Sequence, residues 1–322
     1  FFLTNTHHFS TGTNLNTQTE LALNGVPVCD TFAEAFTTVG TRIIVTALTE
    51  SWVRIAAAEV SGYATSVIAC DAEAGIEKFL TPAESPDGRP GVSLMLFAFS
   101  RSALEKAVVN RVGQCILTCP TTACYSGVPD AGAENNIALG SQLRFFGDGF
   151  QISKKWGNRR LWRIPVMDGE FVCEDQVGTF KGVAGGNLLI CATDQNSGLL
   201  ATEAAVSAMR QVEHTILPFP GGIVRSGSKV GSRYSKLKAS TNDAYCPTIR
   251  AQTKSELPAG TGCVYEIVID GDSFDAVQQS MQAGLNTVSQ QPGVLQITAG
   301  NYGGKLGKHH FHLKDLIDSA DA

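Results

Sequence analysis

The chain has 322 residues, 43% hydrophobic and 17% charged, with a formal net charge of −5. That length accommodates one large or two medium domains with an ordinary buried core, and the mild acidity gives no basis for binding nucleic acid. No apolar run approaches the roughly 18 residues that a membrane-spanning helix needs, so no membrane is expected either.

Residues 1–22 (FFLTNTHHFSTGTNLNTQTELA) are rich in Thr and Asn, lack periodicity and read as a flexible N-terminal extension. The opening FFL is too short for the apolar core of a secretory leader and has no basic flank. TRIIVTA (41–47) predicts a strand, and a helix follows with Trp52, Ile55, Ala56 and Val60 on one face. TSVIAC (65–70) predicts a second strand. After the turn-rich SPDGRPG (85–91) the scheme repeats as strand VSLMLFAF, helix SALEKAVVNRVG and strand QCILTCP. Ser102 and Glu105 have the spacing of a capping box, and Leu104, Ala107, Val108 and Val112 form the helix's apolar face. QLRFFGDGF and RLWRIPVMDGEFVCED read as hairpin strands with Asp-Gly turns.

The second half follows the same order. Strand NLLICA (187–192) leads into a helix with Ala205, Ala208, Met209 and Val212 on one face. GGIVRS predicts a strand, and a long loop then reaches strand CVYEIVID (263–270). A helix carrying Phe274, Val277, Met281, Leu285 and Val288 precedes strand VLQIT (294–298). Each half thus reads βαβ–βαβ, an α+β arrangement of two ferredoxin-like (split βαβ) lobes related by internal duplication. The boundary is expected near Pro165, giving a proximal lobe at 23–165 and a distal lobe at 166–322. Alternating β and α elements also fit a doubly wound parallel sheet, but no GxGxxG follows a strand and the halves look alike.

Glu266 is the most informative residue. Strand alternation in CVYEIVID puts Val264, Glu266 and Val268 on one face. A carboxyl group between two valines is desolvated, and burial raises its pKa, which suits general acid–base work near neutral pH. A buried glutamate paired with a nearby Lys or Arg has the same pattern. The stretch 221–241 holds Arg225, Lys229, Arg233, Lys236 and Lys238 with no acidic residue. Its glycines and serines, Ser226 among them, let backbone amides approach an anion, so it reads as a site for phosphate or carboxylate groups or as a solvated loop. ASTNDAYCPT (239–248) gathers Asn242, Asp243 and Tyr245, a combination also common in plain turns.

Other chemistries find little support. No Gx4GK[ST] or GxSxG occurs. The nine cysteines are scattered without a CxxC; CILTCPTTAC suits neither zinc nor iron–sulfur spacing. An odd count in a chain this long favours reduced thiols in the cytoplasm. HHFHL alternates as a strand would, and no carboxylate or Cys nearby completes a metal signature.

Several stretches together carry a family resemblance: ATSVIACDAEAGIE, SPDGRPGV, RVGQCILT, FFGDGFQ, WRIPVMDGEF, GVAGGN, PFPGGIVRSGSKVGS, ASTNDAYCPT, CVYEIVI, QQPGV and AGNYGGKLG. From LNGVPVCDTFAEAF (23–36) to LKDLI (313–317) the chain resembles the formylmethanofuran–tetrahydromethanopterin formyltransferases. CPTTAC and WRIPVMDGEF lean toward the bacterial branch, the formyltransferase subunit of the formyltransferase/hydrolase complex. The resemblance implies reversible transfer of a formyl group between tetrahydromethanopterin and the amine of methanofuran or a bacterial methylofuran. It implies these two carriers as substrates, no tightly bound cofactor and no metal. It also implies a homo-oligomer (dimer or tetramer), partner subunits of such a complex, or both. The strand glutamate of the CVYEIV motif is the family's proposed catalytic carboxyl and falls on Glu266. AGNYGGKLG is expected to follow the last strand as a substrate-lining loop, with Asn301 in it and Lys305 meeting an anionic group. The alternative is a non-catalytic ferredoxin-like assembly subunit of the same complex. Direct release of formate by a hydrolase would need an activated water that no visible constellation supplies.

Overall fold

The computed structural model describes residues 21–128 and 136–318. The extension expected at 1–22 lies outside the described residues except for Leu21 and Ala22, which begin a strand.

β1 (Leu21–Leu23) and β2 (Val26–Val28) form a hairpin around Asn24-Gly25. Both turn residues have positive φ (51° and 82°), which the twist of a tight hairpin demands. β3 (Phe32–Thr46) is 15 residues long. α1 (Glu50–Ser61), capped by Thr49, packs on it through Val53, Ala56, Ala57 and Val60. Trp52 and Ile55 face outward instead of inward. β4 (Glu73–Leu80) and the fully buried β5 (Gly91–Ala98) precede α2 (Arg101–Arg111). The N-cap of α2 is Ser100, whose hydroxyl accepts the Ala103 N–H, so the helix starts before the expected Ser102–Glu105 box. β6 (Ala123–Ser126) completes the antiparallel order β4–β5–β3–β6.

β7 (Asn136–Ala138), the one-turn α3 (Gly140–Leu143), β8 (Ile152–Trp156), β9 (Arg159–Val166) and β10 (Gly169–Glu174) lie between the halves. β9 and β10 form the expected Asp-Gly hairpin, and β10 runs parallel to β6. β11 (Gln176–Ala192), α4 (Gln195–Met209), the short β12 (Thr215–Ile216), the two-residue ribbon β13 (Lys229–Val230) and β14 (Ala239–Ser240), β15 (Cys263–Gly271), α5 (Phe274–Val288) and β16 (Val294–Thr298) follow. Their main sheet has the order β16–β11–β15–β12, again antiparallel. β17 (His309–His312) pairs with the start of β3, and α6 (Leu313–Asp318) ends the described chain.

The halves are joined through β3 and β11, which pair over Phe36–Thr41 and Thr179–Ala184 and make one 15-stranded mixed sheet. Ile43, Val45, Leu94 and Leu96 face α1 and α2 in one core. Leu188, Ile190, Ile267 and Ile269 face α4 and α5 in the other. Between the two halves Met95, Phe97 and Ile216 pack with Phe180. Arg42 bridges there, donating to Glu77 Oε2 at 2.7 Å and Asp272 Oδ2 at 2.9 Å.

Four expected strands do not form. Residues 65–70 are turns in which the Ser66 carbonyl accepts both the Ala69 and Cys70 N–H groups. At 114–120 the chain continues α2 as a π-helical turn, Val112–Ile116, closed by Leu117 N–H to Val112 O. QLRFFGDGF folds as α3 and a 3₁₀ turn ending in the left-handed Asp148. At 221–226, Gly221 and Gly222 have φ of 65° and 88°, which no strand accommodates, so only Val224 bridges a neighbour.

Candidate active site

Val224 and Glu266 exchange both backbone hydrogen bonds, N–H to O at 2.7 and 3.0 Å. This single bridge seats the 219–228 loop along β15. The Val264, Glu266 and Val268 face of β15 points away from the helices, and two adjoining cavities of about 710 and 650 Å³ lie on that side. Glu266, Ser226, Asn242 and Tyr245 line both. The second cavity also draws on the N-terminal half: Phe36, Glu73, Phe99 and the Ser66–Ala69 turn. A site at the seam of two halves can bring together groups held on separate rigid elements.

Glu266 is half-buried, packed in protein on one side and open to both cavities on the other. That burial pushes its pKa up to about 7. Among the described residues no hydrogen bond or ion pair reaches its carboxyl group, so nothing offsets the desolvation. At neutral pH the group is divided between acid and base forms, the condition for moving a proton in either direction.

The other expected residues separate into groups. Arg225 is exposed, lines the first cavity and has no acidic partner among the described residues. Lys229 lines the second cavity but is tied to Asp243 Oδ1 at 2.5 Å. Asp243 itself lines neither cavity and serves to hold that lysine. The Tyr245 hydroxyl donates to Glu256 Oε2 at 2.7 Å. Burial, and then the bond and charge of Glu256, raise its pKa. Asn301 lines the second cavity and is fixed by donating to Thr31 Oγ1 and the Phe32 carbonyl. Lys305 stands outside both cavities, exposed, because the Gly303-Gly304 turn carries it away from Tyr302. Arg233, Lys236 and Lys238 likewise lie outside, so the basic stretch does not act as one surface.

Glu34, which local pattern reading passed over, organises the AGNYGGKLG loop. It is 1% exposed, and its carboxylate accepts the N–H groups of Tyr302, Gly304, Leu306 and Gly307 at 2.6–2.8 Å. Burial alone would raise its pKa; the backbone donors outweigh it and hold the pKa below the usual value. Asn187 pins the same loop, with Oδ1 accepting the Gly300 N–H at 2.6 Å and Nδ2 donating to the Gly300 carbonyl. The signal for Glu34 was present in FAEAF, a lone acid between apolar neighbours, the pattern that marked Glu266. Tyr302 then faces Phe36 at 6.1 Å, and Phe36 meets Phe99 edge-on, an aromatic side to the second cavity. Burial and the charges of Glu266 and Glu34 raise the Tyr302 pKa.

β17 turns Phe311 inward to stack on Phe274, and His309 Nε2 lies 2.9 Å from Thr37 Oγ1. Its histidines belong to packing against β3 and α5, apart from the cavities.

Comparison with known proteins places this chain in a family. The family described as formylmethanofuran-tetrahydromethanopterin formyltransferase matches residues 21–166, and its companion, described as FTR, proximal lobe, matches residues 169–316. In that usage proximal denotes the C-terminal half. A protein of Methylobacillus flagellatus named formylmethanofuran–tetrahydromethanopterin formyltransferase is 52% identical over 301 residues, covering 92% of this chain and 100% of that protein. A Methylorubrum extorquens protein, named as one of the subunits of the formyltransferase/hydrolase complex, is 52% identical, covering 94% and 99%. Among solved structures, the formyltransferase/hydrolase complex of Methylorubrum extorquens with methylofuran contains a chain of TM-score 0.89 and 52% identity, covering 92% of this chain and 99% of that one. The Methanosarcina barkeri formyltransferase gives TM-score 0.87 at 46% identity, covering 92% and 100%. The chain therefore belongs to the formylmethanofuran–tetrahydromethanopterin formyltransferase family.

Proposed function

We propose that this chain transfers a formyl group between a ring nitrogen of tetrahydromethanopterin and the primary amine of a methanofuran or methylofuran, with Glu266 as general acid–base. The observation that carries this reading is the position of Glu266, a carboxyl of near-neutral pKa at the wall shared by two cavities. The relatives are named for two carriers that must meet at one carbon.

In this mechanism the nitrogen of one carrier attacks the formyl carbon of the other and its N–H proton passes to the Glu266 carboxylate. The tetrahedral intermediate collapses as the resulting acid protonates the departing nitrogen and the original C–N bond breaks. No proton is gained or lost by the enzyme over the cycle. Docking both carriers against one scaffold removes much of the entropic barrier to their encounter. The negative oxygen of the intermediate needs preorganised donors; the Asn242 amide and backbone N–H groups of the 226–227 stretch are within the shared wall. Arg225, Lys229 and Asn301 are assigned to the carriers' polar and anionic groups, with Tyr245 and Ser226 shaping the junction. Lys305 is retained only as an outer contact for an anionic tail.

The same reading treats each half as a ferredoxin-like lobe arising by duplication, with the division between β9 and β10. Its support is that the strand orders β6–β3–β5–β4 and β16–β11–β15–β12 are equivalent when each half is counted in sequence. Assembly with the hydrolase subunits of a complex follows the Methylorubrum relative, with self-association into dimers or tetramers beside it. A cytoplasmic setting fits nine free cysteines; no described helix is long and apolar enough to cross a membrane.

The test is to incubate the purified chain with an N-formylated furfurylamine carrier and tetrahydromethanopterin. Formyl-pterin and free amine should accumulate together, and only with both carriers present. Release of formate without formyl-pterin, or no reaction with either carrier pair, would overturn the proposal.

A further inference from the structure

Two carboxyl groups that the transfer mechanism does not use meet between the two halves. Glu73 opens β4 in the N-terminal half, and Asp270 stands near the end of β15 in the C-terminal half. Asp270 is 0% exposed and Glu73 8%. Their side chains lie within hydrogen-bonding reach of each other. Asp270 Oδ1 accepts the Gly185 N–H at 3.0 Å, and Glu73 Oε1 accepts the Val67 N–H at 3.2 Å. Asp270 Oδ2 is fully buried and has no donor.

Among the described residues no cation compensates this pair. On the surrounding elements, Arg42 of β3, Glu77 of β4, Asp272 after β15 and His214 before β12 satisfy one another. Glu34 is occupied by its four N–H donors, Lys181 of β11 is exposed, and Lys229 is paired with Asp243. Glu266 sits four residues along β15 from Asp270 and adds only negative charge. Two carboxylates in contact without a cation cannot both ionise at neutral pH, and an orphaned buried acceptor is costly. One proton between the two groups removes both problems at once, as a short charge-assisted O–H···O bond.

We propose that Glu73 and Asp270 share a single proton and that this bond is a positioning device for the second cavity, clamping the N-terminal sheet to β15 beside Glu266. The placement makes the clamp relevant to binding. Glu73, the Ser66–Ala69 turn that its Oε1 holds, and Gly185, which Asp270 holds, all line that cavity. Val268 and Glu266 follow Asp270 on the same face of β15. Burial first, and then the charge of Glu73, hold Asp270 protonated well above the ordinary carboxylate range; burial raises Glu73 as well, while the Val67 N–H and the bond with Asp270 pull it back down, so the proton resides on the Asp270 side. When alkali removes the shared proton, two like charges face each other across the seam and the cavity wall parts.

The inference builds on the formyl-transfer reading but is tested separately from it. In a Glu266→Gln background, infrared spectroscopy at pH 8 should show the carbonyl band of a protonated carboxyl that a further Asp270→Asn substitution removes. This arm needs no substrate, so a band present in Glu266→Gln together with no transfer activity in the wild-type chain would count against the transfer reading alone. Absence of the band in Glu266→Gln, or its survival in both Asp270→Asn and the reciprocal Glu73→Gln, would overturn the shared proton. In the otherwise wild-type enzyme, KM for one carrier should rise at least tenfold as pH is taken through the alkaline limb while kcat changes little. Asp270→Asn supplies an N–H donor that cannot be titrated away there, so its KM should stay flat. An equal rise in wild type and Asp270→Asn, or no rise in wild type, would refute the positioning role.

Discussion

Replacing Glu266 by Gln should stabilise the folded protein at pH 8 while abolishing most of its activity. Burial moves the Glu266 pKa from the ordinary 4.5 to about 7. The folded state therefore holds this proton more tightly than the unfolded chain does. Below about pH 4.5 both states are protonated and the residue carries no penalty. As pH rises to about 7 the unfolded chain ionises freely while the folded protein resists, and stability falls by ~3 kcal/mol at 1.36 kcal/mol per pKa unit. Glutamine has the same shape and no charge to desolvate, so the penalty disappears. Urea unfolding at pH 8 should show Glu266→Gln more stable than wild type by ~1–3 kcal/mol, the lower end allowing for the cost of burying an amide. At pH 4.5 the two should unfold at nearly the same urea concentration. A variant less stable than wild type at both pH values would show that the carboxylate is paired or well solvated, and the argument from desolvation would fall with it.

Other substitutions probe the rest of the site. Arg225→Ala should raise KM for one carrier several-fold with kcat nearly unchanged, and the difference should shrink at high salt because exposed charges are screened; steady-state kinetics at two ionic strengths checks this. Glu34→Gln removes the anion that four N–H groups share and leaves the amide to donate where only donors are present. Hydrogen exchange at Tyr302, Gly304, Leu306 and Gly307 should accelerate by tenfold or more, with a rise in KM; unchanged protection would mean that Asn187 alone holds the loop. Arg42→Met strips the cation from Glu77 and Asp272, and Glu77 is only 4% exposed. A loss on the order of 3 kcal/mol in thermal or urea unfolding is expected from leaving a buried carboxylate unpaired.

The elements that sequence pattern identified well are those whose periodicity reflects a single buried face. β15 alternates because Ile267 and Ile269 enter the core with α4 and α5 while Glu266 and Val268 face the cavities. In α5, Val277, Met281, Leu285 and Val288 recur at helical spacing on the same core. The misread stretches are short apolar runs whose backbone bonds close locally, such as Ser66 O with Cys70 N. Local periodicity also carries no information about the pairing of β3 with β17, whose residues lie more than 270 positions apart in sequence. The site divides the same way. Glu266, Asn242 and Tyr245, which line both cavities, were readable from the chemistry of their own segments, whereas Asp243 lines neither. The Glu73–Asp270 contact and the Glu34 anchor depend on segments that only the folded sheet brings together. Lys305 was drawn into the site by its neighbours in sequence, and two consecutive glycines with φ near 70° turn it away.

The proposed mechanism rests on a carboxyl group raised to about neutrality at the junction of two cavities. The most direct measurement is the pH dependence of kcat/KM, which reports the free enzyme's titrating groups, for formyl transfer in wild type and Glu266→Gln, with folding verified at each pH. Wild type should show an inflection near pH 7, and Glu266→Gln should lose about 10²–10⁴-fold in kcat/KM, the usual worth of a positioned general acid–base, together with that inflection. Full activity in Glu266→Gln, or an unchanged inflection, would contradict the assignment.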